Sequence, residues 1–307
     1  KINNKNNKYY LIIIITIVSI ILFIIFKNKI ENYKINNIRK YAILGYNTIN
    51  IGDDIQSFVT STLLNVNYII MRDDYDKVYD FNGNICTLKE PVYLIMNGWF
   101  MHNINWNEGN NNIKFPIKHK YIKPIYISTC LSKDVKLLYT DECINHYKQY
   151  EPILCRDLTT QSLLNKKNVK TEFFGCITQL LDINNIPNNE EFKNKYENSI
   201  IYIDCEDLYN KRNINEKSFL FNHYINEIID MNVKTRIEYA QNLLCKYKYA
   251  KKIYTTRLHS FLPCRAMGLN VEYVGDLNYR VKDLISKTPN KTKLKEKFYN
   301  YINNINY

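Results

Sequence analysis

No CxxC pair occurs in this 307-residue chain: its eight cysteines, at 86, 130, 143, 155, 176, 205, 245 and 264, are never closer than 12 residues. That excludes zinc-ribbon and thioredoxin-type spacing, and most of them sit inside apolar segments as free core cysteines do. An even number permits disulfides in an oxidising compartment, but the sequence does not pair them. There is no GxGxxG loop and no GxxxxGK[ST] loop, so neither dinucleotide nor P-loop phosphate binding is indicated. Internal repeats are also missing, which excludes a solenoid or propeller. The centre of the chain lacks net charge. Of the +12 total, residues 1–40 carry +7 and residues 280–307 carry +5, leaving 41–279 neutral. Basicity confined to the two ends argues against a nucleic-acid partner.

What is present is a globular composition, 46% hydrophobic and 14% aromatic, preceded by a segment of another kind. From Tyr9 to Phe26 the run "YYLIIIITIVSIILFIIF" has no charge. Eighteen residues at about 1.5 Å each approach the roughly 30 Å of a bilayer core, which predicts a transmembrane helix at about 9–26. The charged "KNKIENYK" that follows does not look like a signal-peptide cleavage site. Residues 1–35 are therefore expected to be a membrane anchor with a basic flank, making the protein single-pass. Lys1, Lys5 and Lys8 precede the run while Lys27, Lys29, Lys34, Arg39 and Lys40 follow it, a bias that favours a cytosolic domain.

Beyond residue 36, short apolar runs alternate with amphipathic stretches, the pattern of βαβ units and parallel sheets. Strands are expected at "YAILGY" (from Tyr41), "VNYIIM" (Val66), "VYLIMNG" (Val92), "PIYIST" (Pro124), "PILC" (Pro152) and "KTEFFG" (Lys170). A polar gap from Asn184 to Ser199 marks a boundary. The second half is expected to contain strand "IIYIDC" from Ile200 and helices around Phe219–Ile229 and Lys234–Tyr249. Strand "KIYTT", a helix from His259 to Met267, strand "NVEYVG" and a terminal helix within Lys291–Ile302 follow. The fold expected is α/β: two Rossmann-like domains, 36–190 and 191–307, with a cleft between them.

Ligands in open α/β sheets bind at the carboxyl ends of strands, where helix N-termini present free N–H groups. Three such places carry polar residues. In "NIGDDIQSFVTSTLL", Asp53 or Asp54 is placed to cap a helix with apolar face Ile55, Phe58, Val59 and Leu63, and capping alone accounts for them. In "PILCRDLTTQSLL", Arg156 and Asp157 follow a strand, with Thr159 available as helix cap. They form either a surface ion pair or an anion site, since a guanidinium binds carboxylate or phosphate in a bidentate way. In "TTRLHSFLPCRAMG", Arg257 and His259 stand at a helix start after a strand. Two cationic side chains beside helix N–H groups favour an anion site over simple capping.

The last stretch resembles the Ser/Thr-Arg-Leu-His block of the polysaccharide pyruvyltransferase family. "PILCRDLTTQSLL" with "FFGCITQLL" resembles its Arg-Asp block and a Gly-Cys-Leu-Thr segment of one branch, and "NIGDDIQSFVTSTLL" and "LIMNGWFMHNINWNEGNNNIKFPI" resemble that branch's amino-terminal blocks. The resemblance covers about residues 41–275 and implies a GT-B-like two-domain fold that moves the enolpyruvyl group of phosphoenolpyruvate onto a terminal sugar of a glycan as a ketal, releasing phosphate. It implies that Arg156, Arg257 and His259 contact phosphoenolpyruvate. His259 is the expected general acid and Asp53 the expected base for a sugar hydroxyl, with no metal and no cofactor besides the co-substrate. Trp99 and Trp106 are expected to stack on the acceptor sugar, although core packing explains them as well. The resemblance also favours a lumenal, Golgi- or ER-type location, opposite to the charge bias. One departure from the branch is "TCLSKD", with Cys130 and Ser132 after the strand "PIYIST". Two other functions share the expected architecture: a nucleotide-sugar glycosyltransferase and an inactive glycan-binding relative.

Overall fold

The computed structural model describes residues 16, 18–19, 39–100, 115–286 and 290–305. One compact unit runs from Lys40 to Phe298, and Arg39 with residues 299–305 belongs to another. In the latter, Arg39 donates from Nη1 to the Ile302 carbonyl at 2.8 Å and from Nη2 to the Ile305 carbonyl at 2.7 Å.

Among the described residues the larger unit is a mixed α/β fold with three sheets. The first has the order β4-β3-β2-β1-β5-β7. Its strands are β1 (Lys40–Gly45), β2 (Val66–Met71), β3 (Asp74–Asp80), β4 (Ile85–Cys86), β5 (Val92–Ile95) and β7 (Ile122–Ile125). Strand β1 lies between β2 and β5, parallel to both. The second sheet runs β10-β9-β8-β6, from β6 (Trp99–Phe100), β8 (Ile127–Leu131), β9 (Ile153–Cys155) and β10 (Thr171–Phe173). The third, all parallel, runs β12-β11-β13-β14, from β11 (Ile200–Ile203), β12 (Ser218–Phe221), β13 (Lys252–Thr255) and β14 (Val271–Tyr273). Parallel strands buried on both faces need continuous apolar runs. "YAIL" in β1 meets that demand, with Tyr41, Ala42, Ile43 and Leu44 at most 1% exposed.

The helices used below are α1 (Ile51–Leu63), α2 (Asp141–Gln149), α3 (Leu158–Asn165), α4 (Val233–Lys248), α5 (Leu258–Ala266), α6 (Tyr279–Ser286) and α7 (Lys291–Asn303). Two expectations about local structure change. The segment Phe219–Ile229 is not helical: Phe219, Leu220 and Phe221 pair with Ile201, Tyr202 and Ile203, and a short 3₁₀ turn follows at Asn226–Asp230. A short apolar run reads equally as strand or buried helix, and the waiting edge of β11 decides. The hairpin of β3 and β4 was not expected. It turns at Asn82-Gly83, where Gly83 has φ of 89° and the Asp80 carboxylate accepts from the Asn82 and Asn84 amides.

Among the described residues no helix is long and apolar enough to cross a membrane. The longest, α4, has 16 residues, about 24 Å against a core of roughly 30 Å. It also carries Lys234, Arg236, Glu238, Lys246 and Lys248. The expected N-terminal transmembrane helix is corrected on this finding, and the single-pass membrane location that depended on it is withdrawn with it. Residues 9–26 lie outside the described residues, apart from Thr16, Val18 and Ser19.

Candidate active site

Two sheets reverse their winding close to each other. In the first, the chain leaves β1 toward β2 on one side and β5 on the other. In the third, β11 is flanked by β12 and β13. Such switch points open crevices at strand carboxyl ends. A short antiparallel bridge ties the two crevices together: Ile51 donates its N–H to the His223 carbonyl at 3.0 Å, and Ile225 to the Ile49 carbonyl at 2.8 Å. The resulting cleft of about 480 Å³ is lined by Asp53, Trp99, Arg156, Arg257, His259 and Arg280, among others.

The first turns of α1 and α5 meet there. Asn50, not Asp53 or Asp54, is the N-cap of α1, its Oδ1 accepting the Gly52 N–H at 3.1 Å. The two aspartates sit in the first turn, favourably placed for the helix dipole. A Cβ at Gly52 would lie 3.1 Å from His259 Nδ1, so glycine permits this approach. Asp53 is buried, 3.9 Å from Arg72 Nη1, and accepts from Thr48 Oγ1 at 3.5 Å. Gln56, fully buried, donates from Nε2 to Asp53 Oδ1 at 3.4 Å and accepts Arg156 Nη1 on Oε1 at 3.4 Å.

Arg156 leaves the end of β9 and is 2% exposed. Its neighbour Asp157 is the cap of α3, in place of the expected Thr159, accepting the Thr160 N–H at 2.8 Å and the Thr160 hydroxyl at 2.9 Å. Arg257 is the N-cap residue of α5. Its Nε is hydrogen-bonded to Asp204 Oδ2, and its guanidinium lies 4.2 Å over the Tyr224 ring. Arg280, on α6, stacks 3.5 Å from the centre of the Trp99 indole. The Trp99 face that Arg280 covers is thereby closed to a sugar, and Trp106 lies outside the described residues.

Among the described residues seven buried side-chain atoms lack a hydrogen-bond partner. Arg156 Nε, His259 Nε2 and Trp99 Nε1 are three of them, and all three residues line this cleft. Buried polar groups are normally satisfied, so convergent orphans mark a place prepared for a ligand. The charge is positive where it is not matched. Asp204 pairs with Arg257 and Arg72 faces Asp53, while Arg156 meets a neutral amide and Arg280 an indole face. Burial and the neighbouring Arg156 charge lower the Arg280 pKa. Burial, then Arg156, His223 and Arg280, hold His259 well below an ordinary imidazole. His259 is therefore neutral in the free protein.

Of the expected site residues, the structure gathers Asp53, Trp99, Arg156, Arg257 and His259 around one cleft. Sequence reasoning missed Gln56, Asp204, His223 and Arg280. Arg280 had been counted with the basic tail, although its place at a helix start just after strand "NVEYVG" carries the same signal as Arg257.

Neutral buried histidines also set acid stability. Burial pushes His146 down to about 4, and burial with the Arg257 charge pushes His223 down to about 3. His223 hydrogen-bonds through Nε2 to the Ser260 hydroxyl at 2.9 Å and the Tyr247 hydroxyl at 3.1 Å. With folded pKa values below the unfolded value of about 6.5, their contribution is whole above that pH and is lost as pH falls toward 4. Urea midpoints at pH 7.5, 6 and 5 should show a loss of about 2–4 kcal/mol across this range. Flat midpoints would contradict the assignment.

A family model described as polysaccharide pyruvyl transferase matches residues 50–271, a span that holds Asp53, Arg156, Arg257 and His259 and ends before Arg280. No curated protein matches the chain. Among solved structures, the chain is similar to a functionally uncharacterised protein from Klebsiella pneumoniae subsp. pneumoniae NTUH-K2044. The two are 14% identical with a TM-score of 0.49, over 86% of this chain and 92% of that one.

Proposed function

The chain belongs to the polysaccharide pyruvyl transferase family, and on that premise we propose that it moves the enolpyruvyl carbons of phosphoenolpyruvate onto two hydroxyls of a terminal glycan sugar as a ketal, releasing phosphate. The observation that carries the reading is the convergence of the unpartnered Arg156 Nε, His259 Nε2 and Trp99 Nε1 on a cleft that also holds Arg257 and Arg280. Phosphoenolpyruvate is small and carries three negative charges, and it offers acceptors enough for these donors. Arg156 and Arg280 hold the anion, Arg257 aligns it, and the first turn of α5 adds its N–H groups.

The reaction needs C2 of the enol to become electrophilic. A proton from His259 adds to C3, making it a methyl group and leaving cationic character at C2. The first sugar hydroxyl attacks C2 and gives its proton to Asp53. The C2–O bond to phosphate then breaks with its electron pair on phosphate, and the second hydroxyl closes the ketal, its proton leaving with the phosphate. Trp99, one face under Arg280, contributes its indole N–H and ring edge to the wall between donor and acceptor.

Because His259 is neutral when the cleft is empty, the substrate's own charge must raise its pKa. Phosphoenolpyruvate binding at pH 7.5 should therefore take up close to one proton, and affinity should fall as pH rises through the pKa of His259 in the complex. Calorimetry in buffers of different ionisation enthalpy reads this directly, and His259→Asn should bind without uptake. The function itself is tested by phosphate release from phosphoenolpyruvate with a panel of galactosides, mannosides and glucosides. Acceptor-dependent release that His259→Ala abolishes supports the transferase. Absence of release with every acceptor, and no rise in Tm on adding phosphoenolpyruvate, would refute it.

A further inference from the structure

Asp204 takes no part in the reaction above, yet its conformation and contacts are specific. It ends β11 at the switch point of the third sheet with φ of 50°, in the left-handed region. Side chains other than glycine, asparagine and aspartate seldom adopt it, and strain of this kind persists where the surroundings over-determine it. Here they do. The Asp204 N–H donates to the Phe221 carbonyl at 2.9 Å, and its carbonyl accepts the Thr256 hydroxyl at 3.0 Å. Both carboxylate oxygens accept the His223 N–H at 3.2 Å. The carboxylate is thus aimed by the backbone before it touches any other side chain.

What it is aimed at is Arg257 Nε. The Thr255 hydroxyl accepts the Arg257 N–H at 2.9 Å, and the Tyr224 ring underlies the guanidinium. Nε, ring face and backbone together leave Arg257 little rotational freedom. The pairing also matches its charge locally, which distinguishes it from Arg156 and Arg280.

We propose that Asp204 is a positioning residue: by gripping Nε it sets the direction of the Arg257 guanidinium, and its charge reserves Arg257 for aligning the bound anion rather than for holding it. This rests on the phosphoenolpyruvate reading above. Two consequences follow, and they have opposite signs. Removing the negative charge makes the cleft more attractive to anions, whereas removing the grip misaligns Arg257 and slows turnover. A residue that only stabilised the fold would lower both together.

Asp204→Asn and Asp204→Ala separate the two. Asparagine tolerates the left-handed backbone and retains an oxygen to accept from Nε and from the His223 N–H, without the charge. Alanine loses both. Calorimetry with inorganic phosphate should show both variants binding about five- to tenfold tighter than the parent. The kcat for acceptor-dependent phosphate release should fall about a hundredfold in Asp204→Ala and less than about tenfold in Asp204→Asn, the scale of a misplaced aligning group. Unchanged phosphate affinity in both variants, or a parallel loss of affinity, kcat and Tm, would overturn the assignment. Arg156→Ala run alongside keeps the two readings apart. If it keeps parental turnover, the anion site assigned to this cleft fails while the reaction itself stands, and phosphate affinity alone decides on Asp204. If it is inactive while Asp204→Ala matches the parent in every readout, only the role of Asp204 is lost.

Discussion

Replacing Arg156 by alanine is expected to lower kcat/KM for phosphoenolpyruvate-dependent phosphate release by about a thousandfold or more. One preorganised donor aimed at developing charge is typically worth about a hundred- to a thousandfold. Arg156 supplies more than one: its Nε has no partner in the free protein, and its Nη1 reaches the neutral Gln56 amide only at the long distance of 3.4 Å. At 2% exposure it competes little with water, so each bond it makes to an anion is formed in a dry environment. Arg156→Lys keeps the charge but loses the planar fork, and should recover only part of the activity. Steady-state kinetics of the three proteins, with Tm as the control for folding, decide the matter. Near-parental kcat/KM in Arg156→Ala would remove the anion site from this cleft.

Arg236→Met should produce the largest loss of stability, about 3–5 kcal/mol. Arg236 is 1% exposed and lies on α4. It donates from Nε to Asp54 Oδ1 at 3.0 Å and from Nη2 to Asp54 Oδ2 at 2.7 Å, and it also reaches the Ile228 carbonyl at 2.8 Å and the Thr48 carbonyl at 2.7 Å. Without it, the Asp54 carboxyl, whose pKa burial already raises to about 6, is left buried with no partner for its charged form, and two carbonyls lose their donor. For a chain of this size that corresponds to a fall in Tm of about 10 °C. Adding Asp54→Asn removes the orphaned carboxyl and should restore part of the loss, the signature of a coupled pair. A fall of less than about 1 kcal/mol would show that the pair contributes little net stability. The link matters to the site because it anchors the helix that carries Asp53 and Gln56.

Charge and hydrophobic pattern made much of this legible in advance. The apolar runs at Tyr41, Val66, Val92, Ile200 and Lys252 became β1, β2, β5, β11 and β13 because a strand buried on both faces leaves a local signature. Arg156, Arg257 and His259 could be singled out for a similar reason: each stands just after such a run, where a parallel sheet must place its ligands. The membrane helix is the reverse case. The rule behind it, a run of uncharged residues of sufficient length, is local too, and no described helix meets it.

By itself, then, the sequence determined the α/β character, most of the strands and the two strand ends that carry cationic side chains, all properties encoded over a few neighbouring residues. Only the tertiary structure decided what those side chains meet. Asn50 outcompetes two aspartates as a cap because its side chain, not theirs, reaches a free N–H. Gln56 joins Asp53 to an arginine 100 positions away. Asp204 claims Arg257 across 53 residues, and Arg280 stacks on Trp99 rather than joining a solvated tail. Partners so distant in the chain are chosen by sheet order and by the cost of leaving a buried charge unmatched, and neither is written in any local stretch of sequence.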